Sequence, residues 1–220
     1  MSAPMTKLQT QLAAELAELN KKVAPPSGHR ISLKGKVFSM PNGGTSPGPI
    51  NAVILDWRSI NVFYPGTYNA QKIETPVCFA VANNIGDLKP SPNCADPQSK
   101  ECEGCKRNAW SSAPGGGRGR ACKNTIRVAI VPPDAKDDTV PWTIDIAPTS
   151  TTAFNSMVYA IRDGMGMLPL QVQLTLDFDA NADYPKLTFA SPEALPDELV
   201  GLMFDLRKAS QSLLDKEPGT

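Results

Sequence analysis

Five cysteines, Cys78, Cys94, Cys102, Cys105 and Cys122, fall within 45 consecutive residues of a 220-residue chain. Cys102-Glu-Gly-Cys105 has the two-residue spacer of a zinc knuckle. The spacer lets two thiolates converge on one ion, and Gly104 eases the turn between them. A tetrahedral ion needs two further ligands. Cys78 and Cys122 border the cysteine-rich stretch, where ligands would clamp it onto neighbouring strands. The expected Zn²⁺ set is therefore Cys78, Cys102, Cys105 and Cys122, with Cys94 the alternative to Cys78. Within VCFA, Cys78 also reads as a small buried hydrophobe, and an iron–sulfur cluster is a second occupant this spacing admits. A thioredoxin-like redox role fits less well, because the knuckle does not open a helix after a strand.

Charge supplies the second constellation. The chain has 22 basic and 22 acidic residues, which excludes a generally basic coat but not a local patch. Lys100, Lys106, Arg107, Arg118, Arg120, Lys123 and Arg127 face only Glu101 and Glu103, a net +5 over residues 100–127. Trp110 and a run of three glycines lie inside this segment. Basic groups with an interleaved aromatic can follow a phosphate backbone while a base stacks on the ring. Trp110 as a cover over the metal site, in a solvated loop, is the plainer alternative. Arg58, Tyr64 and Tyr68, around Pro65-Gly66, extend the candidate surface. Acidic residues gather elsewhere, six against three basic over 193–217.

No catalytic constellation stands out, so a binding protein rather than an enzyme is expected. With His29 the one histidine, a Ser-His-Asp triad would rest on it alone. The GGGRGR run lacks the Gly-Lys-Ser/Thr ending of a phosphate loop. DFDANADYP resembles a calcium loop, but Ala182 and Thr188 stand where Gly and Glu belong.

The elements that must position these residues are mostly strands. Sixteen glycines and 21 prolines exceed the ordinary share of about 12% and disfavour a helical bundle. Leu8, Leu12, Leu16, Leu19 and Val23 predict a helix over 5–23, ended by Pro25 and Pro26; it packs on its own domain or on a partner. Strands are predicted at 31–37, 50–57, 77–82, 125–131, 141–147, 170–178 and 185–190. A helix is predicted from the Thr149–Thr151 caps to about 163, with Phe154, Met157, Val158 and Ile161 inward. A last helix follows Pro196, with Leu199, Leu202, Met203, Leu206 and Leu213 on one face. Three regions result: 1–28, a helix and linker; 29–192, a core with an insertion over 83–124; and 193–220, a helical tail. The class is mainly β with helical tails (α+β), most economically an OB-fold-like small barrel interrupted by the cysteine-rich zinc loop, with ferredoxin-like layering and a two-sheet sandwich as the other arrangements periodicity admits. The N-terminus lacks the basic start and apolar stretch of a secretory signal, and no run of about 18 apolar residues predicts a membrane span.

PVCFA, followed by CEGCKRN, GRACKN and DFDANADYPKLTF, resembles the single-stranded DNA-binding proteins of tailed bacteriophages. Cys94-x7-Cys102-x2-Cys105 is similar in shape to the zinc subdomain that interrupts the OB-fold in T4-type helix-destabilising proteins. Those sites include a histidine; this cluster has none nearby. The resemblance implies sequence-independent binding of single-stranded DNA in phage DNA replication or recombination, in the cytoplasm of an infected bacterial host. The candidate DNA contacts are Lys106, Arg107, Trp110, Arg118, Arg120, Lys123, Arg127, Arg58, Tyr64 and Tyr68. The N-terminal helix would serve self-association or contact with a replication protein. The alternative is a zinc-stapled structural or scaffold protein of a virion or replisome.

Overall fold

The computed structural model describes residues 28–66, 74–115 and 117–219, together with Leu8, Gln11, Leu12 and Glu15. These four are helical and exposed; the rest of the helix expected over 5–23, and Tyr68, lie outside the described residues.

The class is mainly β with two principal helices. A short hairpin, β1 (Phe38–Ser39) with β2 (Thr45–Ser46), precedes a six-stranded sheet. Its strands are β3 (Ile50–Phe63), β4 (Cys78–Ala82), β5 (Cys122–Val131), β6 (Trp142–Ile146), β7 (Val172–Phe178) and β8 (Leu187–Ala194). All the strand pairs are antiparallel, in the order β6-β5-β3-β7-β8. β4 pairs with the C-terminal half of β3, on the edge whose N-terminal half holds β7. Helix α1 (Thr151–Tyr159) lies between β6 and β7 and continues as a π-helical turn to Met165. Helix α2 (Asp197–Leu214) follows β8.

β3 is central, which explains its near-continuous apolar run: a strand covered on both faces has no solvent side to alternate with. A bulge between Ile54 and Asp56 shifts its parity. On one face Ala52, Ile54, Val128 and Ile130 join Phe154 and Ile161 of the α1 segment and the inward row of β7, Val172, Leu174, Leu176 and Phe178. On the other, Val53, Leu55, Ala129 and Val131 are covered by Met203, Leu206 and Leu214 of α2. The buried stripe of α2 is thus Met203, Leu206, Ser210 and Leu214, so Leu214 takes the place expected for Leu213.

The sheet is not closed into the expected barrel, and both edges that would meet are already engaged. The Ile31 N–H donates to Thr143 O at 2.8 Å and the Thr143 N–H to His29 O at 2.6 Å, so residues 29–31 cover the outer edge of β6. On β8, the Leu187 N–H donates to Ser150 Oγ at 2.8 Å, and Phe189 packs edge-on against Phe154 of α1. The calcium-like loop holds an ammonium: Lys36 Nζ donates to the carbonyls of Asp179 and Ala182, each at 2.9 Å, and Lys186 pairs with the Asp179 carboxylate at 2.8 Å. Among the described residues no helix is long and apolar enough to cross a membrane.

Candidate metal and nucleic-acid site

The cysteine-rich stretch leaves β4 and returns as β5, and among its described residues are two short 3-10 turns, Ile85–Asp87 and Lys106–Asn108. Backbone bonds moor it to β4 and the residue before it: the Ser91 N–H donates to Phe79 O and the Asp96 N–H to Val77 O, both at 2.9 Å. The knuckle turns as its spacing requires. Gly104 has φ +70°, the left-handed conformation that glycine adopts without strain, and the Cys105 N–H reaches back to Cys102 O.

All five cysteines are free thiols, four of them buried and Cys105 partly so. Cys78, Cys102, Cys105 and Cys122 line one hollow of about 10 Å³, near the size of a single water-sized body. Cys94 is not among its lining residues. Its Sγ accepts the Phe79 N–H at 3.1 Å, and its thiol donates to Phe79 O at 3.2 Å. Burial pushes the Cys122 thiol up to about 12, with Cys102, Cys78 and Cys105 adding to the effect. Burial likewise raises Cys78, against a backbone N–H from Gln98 and helped by Cys94 and Cys102. Cys102 is raised by burial, against a bond from Asn61 and helped by Cys105 and Cys94. A soft dication bound among these cysteines would convert them to thiolates. Among the described residues no group of three or more Cys, His, Asp or Glu side chains stands at metal-holding distances. The four therefore surround a hollow rather than form a finished coordination sphere.

The ladder between β3 and β5 sorts the basic and aromatic residues. It pairs Arg58 with Arg127, Ile60 with Thr125 and Val62 with Lys123 on one face; Asn61 with Asn124 and Phe63 with Cys122 alternate on the other. The single surface expected from the sequence is thus divided by the sheet. On the cysteine side, the Arg120 guanidinium lies 4.6 Å over the Trp110 ring, which is 71% exposed. Arg107 lies 4.9 Å over Phe63 and bonds Gln98 at 3.1 Å. Lys106 and Arg118 are exposed. On the opposite face Lys123 is exposed and stands 5.5 Å over the half-buried Tyr64.

Arg58 and Arg127 have another part than the one expected. Arg58 is 6% exposed. Its Nε donates to Asp215 at 2.6 Å and its Nη1 to Trp57 O at 2.9 Å, while Nη2 bonds Gln211. Arg127 donates to Leu214 O at 3.2 Å and to Lys216 O, and lies 3.6 Å from Asp145. Both arginines hold the carboxyl end of α2, where orphan helix carbonyls favour cations. Beyond α2, Glu217 accepts from Ser91 Oγ and, at 2.8 Å, from Asn93 Nδ2, tying the C-terminal segment to the cysteine-rich loop.

The sequence reading passed over Asn61, Asn108 and Asn124. Arg120 Nη1 donates to Asn124 Oδ1 at 2.7 Å and to Asn108 Oδ1 at 3.3 Å, and Asn124 Nδ2 donates on to Asn61. The one signal was an asparagine inside the apolar run INVF; its partner across the ladder is a tertiary fact.

Comparison with protein-family models, curated proteins and solved structures finds no match to this chain.

Proposed function

We propose that this protein binds single-stranded DNA without sequence preference, in the manner of the phage replication and recombination proteins its sequence resembles. The observation that carries the reading is the exposed Trp110 ring backed by Arg120 within the +5 segment. A cation behind an aromatic leaves the other ring face for a base, while Lys106 and Arg118 meet phosphates. Lys123 beside Tyr64 offers a second such pair.

The strand order gives independent support. With β3, β5, β6, β7 and β8 taken as five core strands, the sheet runs third, second, first, fourth, fifth, with α1 between third and fourth. This is the order of an OB-fold opened at one seam. OB-folds bind oligonucleotides with the loops after the first and fourth strands, which here are the cysteine-rich loop and the DANADYPK turn. Cys78, Cys102, Cys105 and Cys122 would hold zinc as a structural staple, fixing the loop that carries Trp110 and Arg120. The role is binding and requires no catalytic group.

A zinc-stapled scaffold protein is the second reading, favoured by the engagement of Arg58 and Arg127 with α2. Oligonucleotide binding across a salt series separates the two. For DNA binding, log affinity falls linearly with log salt, by about 0.7 per phosphate contact, and Arg118→Ala flattens that slope by about one contact. Trp110→Ala costs about 1–3 kcal/mol at every salt. Equal affinity for single and double strands, or no binding at low salt, would leave the scaffold reading.

A further inference from the structure

The four-thiol site leaves Cys94 unused. Cys94 is 9% exposed and packs in one cluster with Cys78, Cys122, Phe63 and Phe79. Its Sγ accepts the Phe79 N–H at 3.1 Å, and its thiol donates to Phe79 O at 3.2 Å. Phe79 follows Cys78 in β4, so the Cys94 sulfur sits on the residue next to Cys78. The Cys78 thiol in turn hydrogen-bonds the Cys94 sulfur. Cys94 thus stands one thiol removed from the hollow lined by Cys78, Cys102, Cys105 and Cys122. Its backbone is tied in place: the Cys94 N–H donates to Ser91 O at 3.1 Å, and the Ser91 and Asp96 N–H groups to Phe79 O and Val77 O.

The two cysteines are also matched as ligands. A metal-bound group is oriented by hydrogen bonds behind it, and donors to a thiolate favour the charged form. Cys78 has one backbone donor, the Gln98 N–H, and Cys94 has one, the Phe79 N–H. As a thiol Cys94 also gives its proton to Phe79 O; as a thiolate it has no proton to place. Turning from Phe79 O toward the hollow therefore forfeits one neutral hydrogen bond. Resting on the zinc reading of the cluster, we infer that Cys94 is a reserve ligand: Cys102, Cys105 and Cys122 hold a soft dication with either Cys78 or Cys94 as the fourth thiolate. The thiol that binds releases its proton to solvent, and the other remains a thiol. The ion can pass between the two sulfurs without leaving the protein, and loss of Cys78 does not empty the site.

The test loads full-length wild type, Cys78→Ala, Cys94→Ala and the double variant with cobalt(II), whose sulfur charge-transfer absorption grows with each thiolate bound, and measures zinc by elemental analysis alongside. Wild type and both single variants are expected to hold one ion at the same four-thiolate intensity. Cys78→Ala should bind it up to roughly tenfold more weakly, for the hydrogen bond that Cys94 gives up. The double variant should lose it. The intensity in Cys78→Ala decides the question whether or not the double variant folds. A Cys78→Ala chain that loses the ion, or its fold, overturns the reserve, because Cys94 was to preserve both; zinc in the wild type then leaves the four-cysteine staple standing. An ion kept by Cys78→Ala at one thiolate's lower intensity assigns the fourth place to water and overturns it. Equal metal content in Cys78→Ala and the double variant overturns it too. Loss of metal from Cys94→Ala makes Cys94 the resident ligand and does the same. Wild type that takes up neither metal removes the zinc reading and this inference with it.

Discussion

Replacing Arg58 by alanine decides whether that residue is a staple or a nucleic-acid contact. The guanidinium is 7% exposed and reaches Asp215, Gln211, the Trp57 carbonyl and, at 3.5 Å, Asp56. Breaking a fully buried ion pair costs about 3–5 kcal/mol because the partner charge is orphaned. Here the orphan is less burdened. Asp215 is 58% exposed and can turn to water, and Gln211 keeps its bonds to Asp56 and to Arg207 O. The expected loss is therefore about 2–3 kcal/mol, that of the charged hydrogen bonds alone. In a chain of this size each kcal/mol moves the melting point by about 2–4 °C, so the fall is roughly 4–12 °C. Hydrogen exchange should place the loss in residues 197–216 first. Arg58→Lys should recover only part of it, since an ammonium cannot fork to Asp215, Gln211 and Trp57 O together. A melting point within about 1 °C of the parent, combined with a shallower salt slope for oligonucleotide binding, would refute the staple argument and return Arg58 to the DNA surface.

Two further outcomes are expected. Protein prepared without chelator should carry one zinc per chain; Cys105→Ser should lose it and Cys94→Ser retain it, because Cys94 bonds Phe79 and does not line the hollow. Elemental analysis finding no zinc, or the reverse order of the two variants, would count against the four-cysteine staple. Burial raises the Asp56 carboxyl, but bonds from Gln211 and the Trp57 N–H and the charge of Arg207 outweigh it and hold it below its ordinary 3.8. A depressed carboxyl stabilises the fold above its unfolded value and ceases to as pH falls through the folded one. Protection of α2 in hydrogen exchange should thus weaken below about pH 4, ahead of β3 and β5; a helix that outlasts the sheet in acid would refute it.

The parts legible in the sequence are those set by local geometry. β7 was plain because Val172, Leu174, Leu176 and Phe178 alternate with Gln171, Gln173, Thr175 and Asp177, and alternation is what a half-buried strand imposes. The knuckle was plain because its spacer and Gly104 do their work within four residues. The length of β3 was not, since Arg58, Ser59 and Asn61 break its apolar run. They are tolerated in a central strand because Arg58 meets the end of α2 and Asn61 meets Asn124, and neither partner is near in sequence. Closure of the barrel was equally illegible: it depended on whether β6 and β8 had free edges, and backbone groups of residues 29–31 and the Ser150 hydroxyl had claimed them.

The division of the basic residues follows from one rule applied twice. Neighbouring residues of a strand point to opposite faces, so Cys122 and Lys123 cannot serve one surface, nor Asn61 and Val62. Arg58, Lys123 and Arg127 share one face of the ladder, opposite Asn124 and Cys122. The ladder puts the Arg120–Trp110 and Lys123–Tyr64 pairs on opposite sides. Arg58 and Arg127, on the same face as Lys123 but farther along the ladder, meet α2 instead. A strand of DNA held at Trp110 and at Tyr64 would have to cross the end of the β3–β5 ladder, beside the thiols of Cys78 and Cys122. On that path Trp110 is carried by the cysteine-rich loop and Tyr64 by the end of β3, so loosening the loop should weaken stacking at Trp110 before it weakens the sheet.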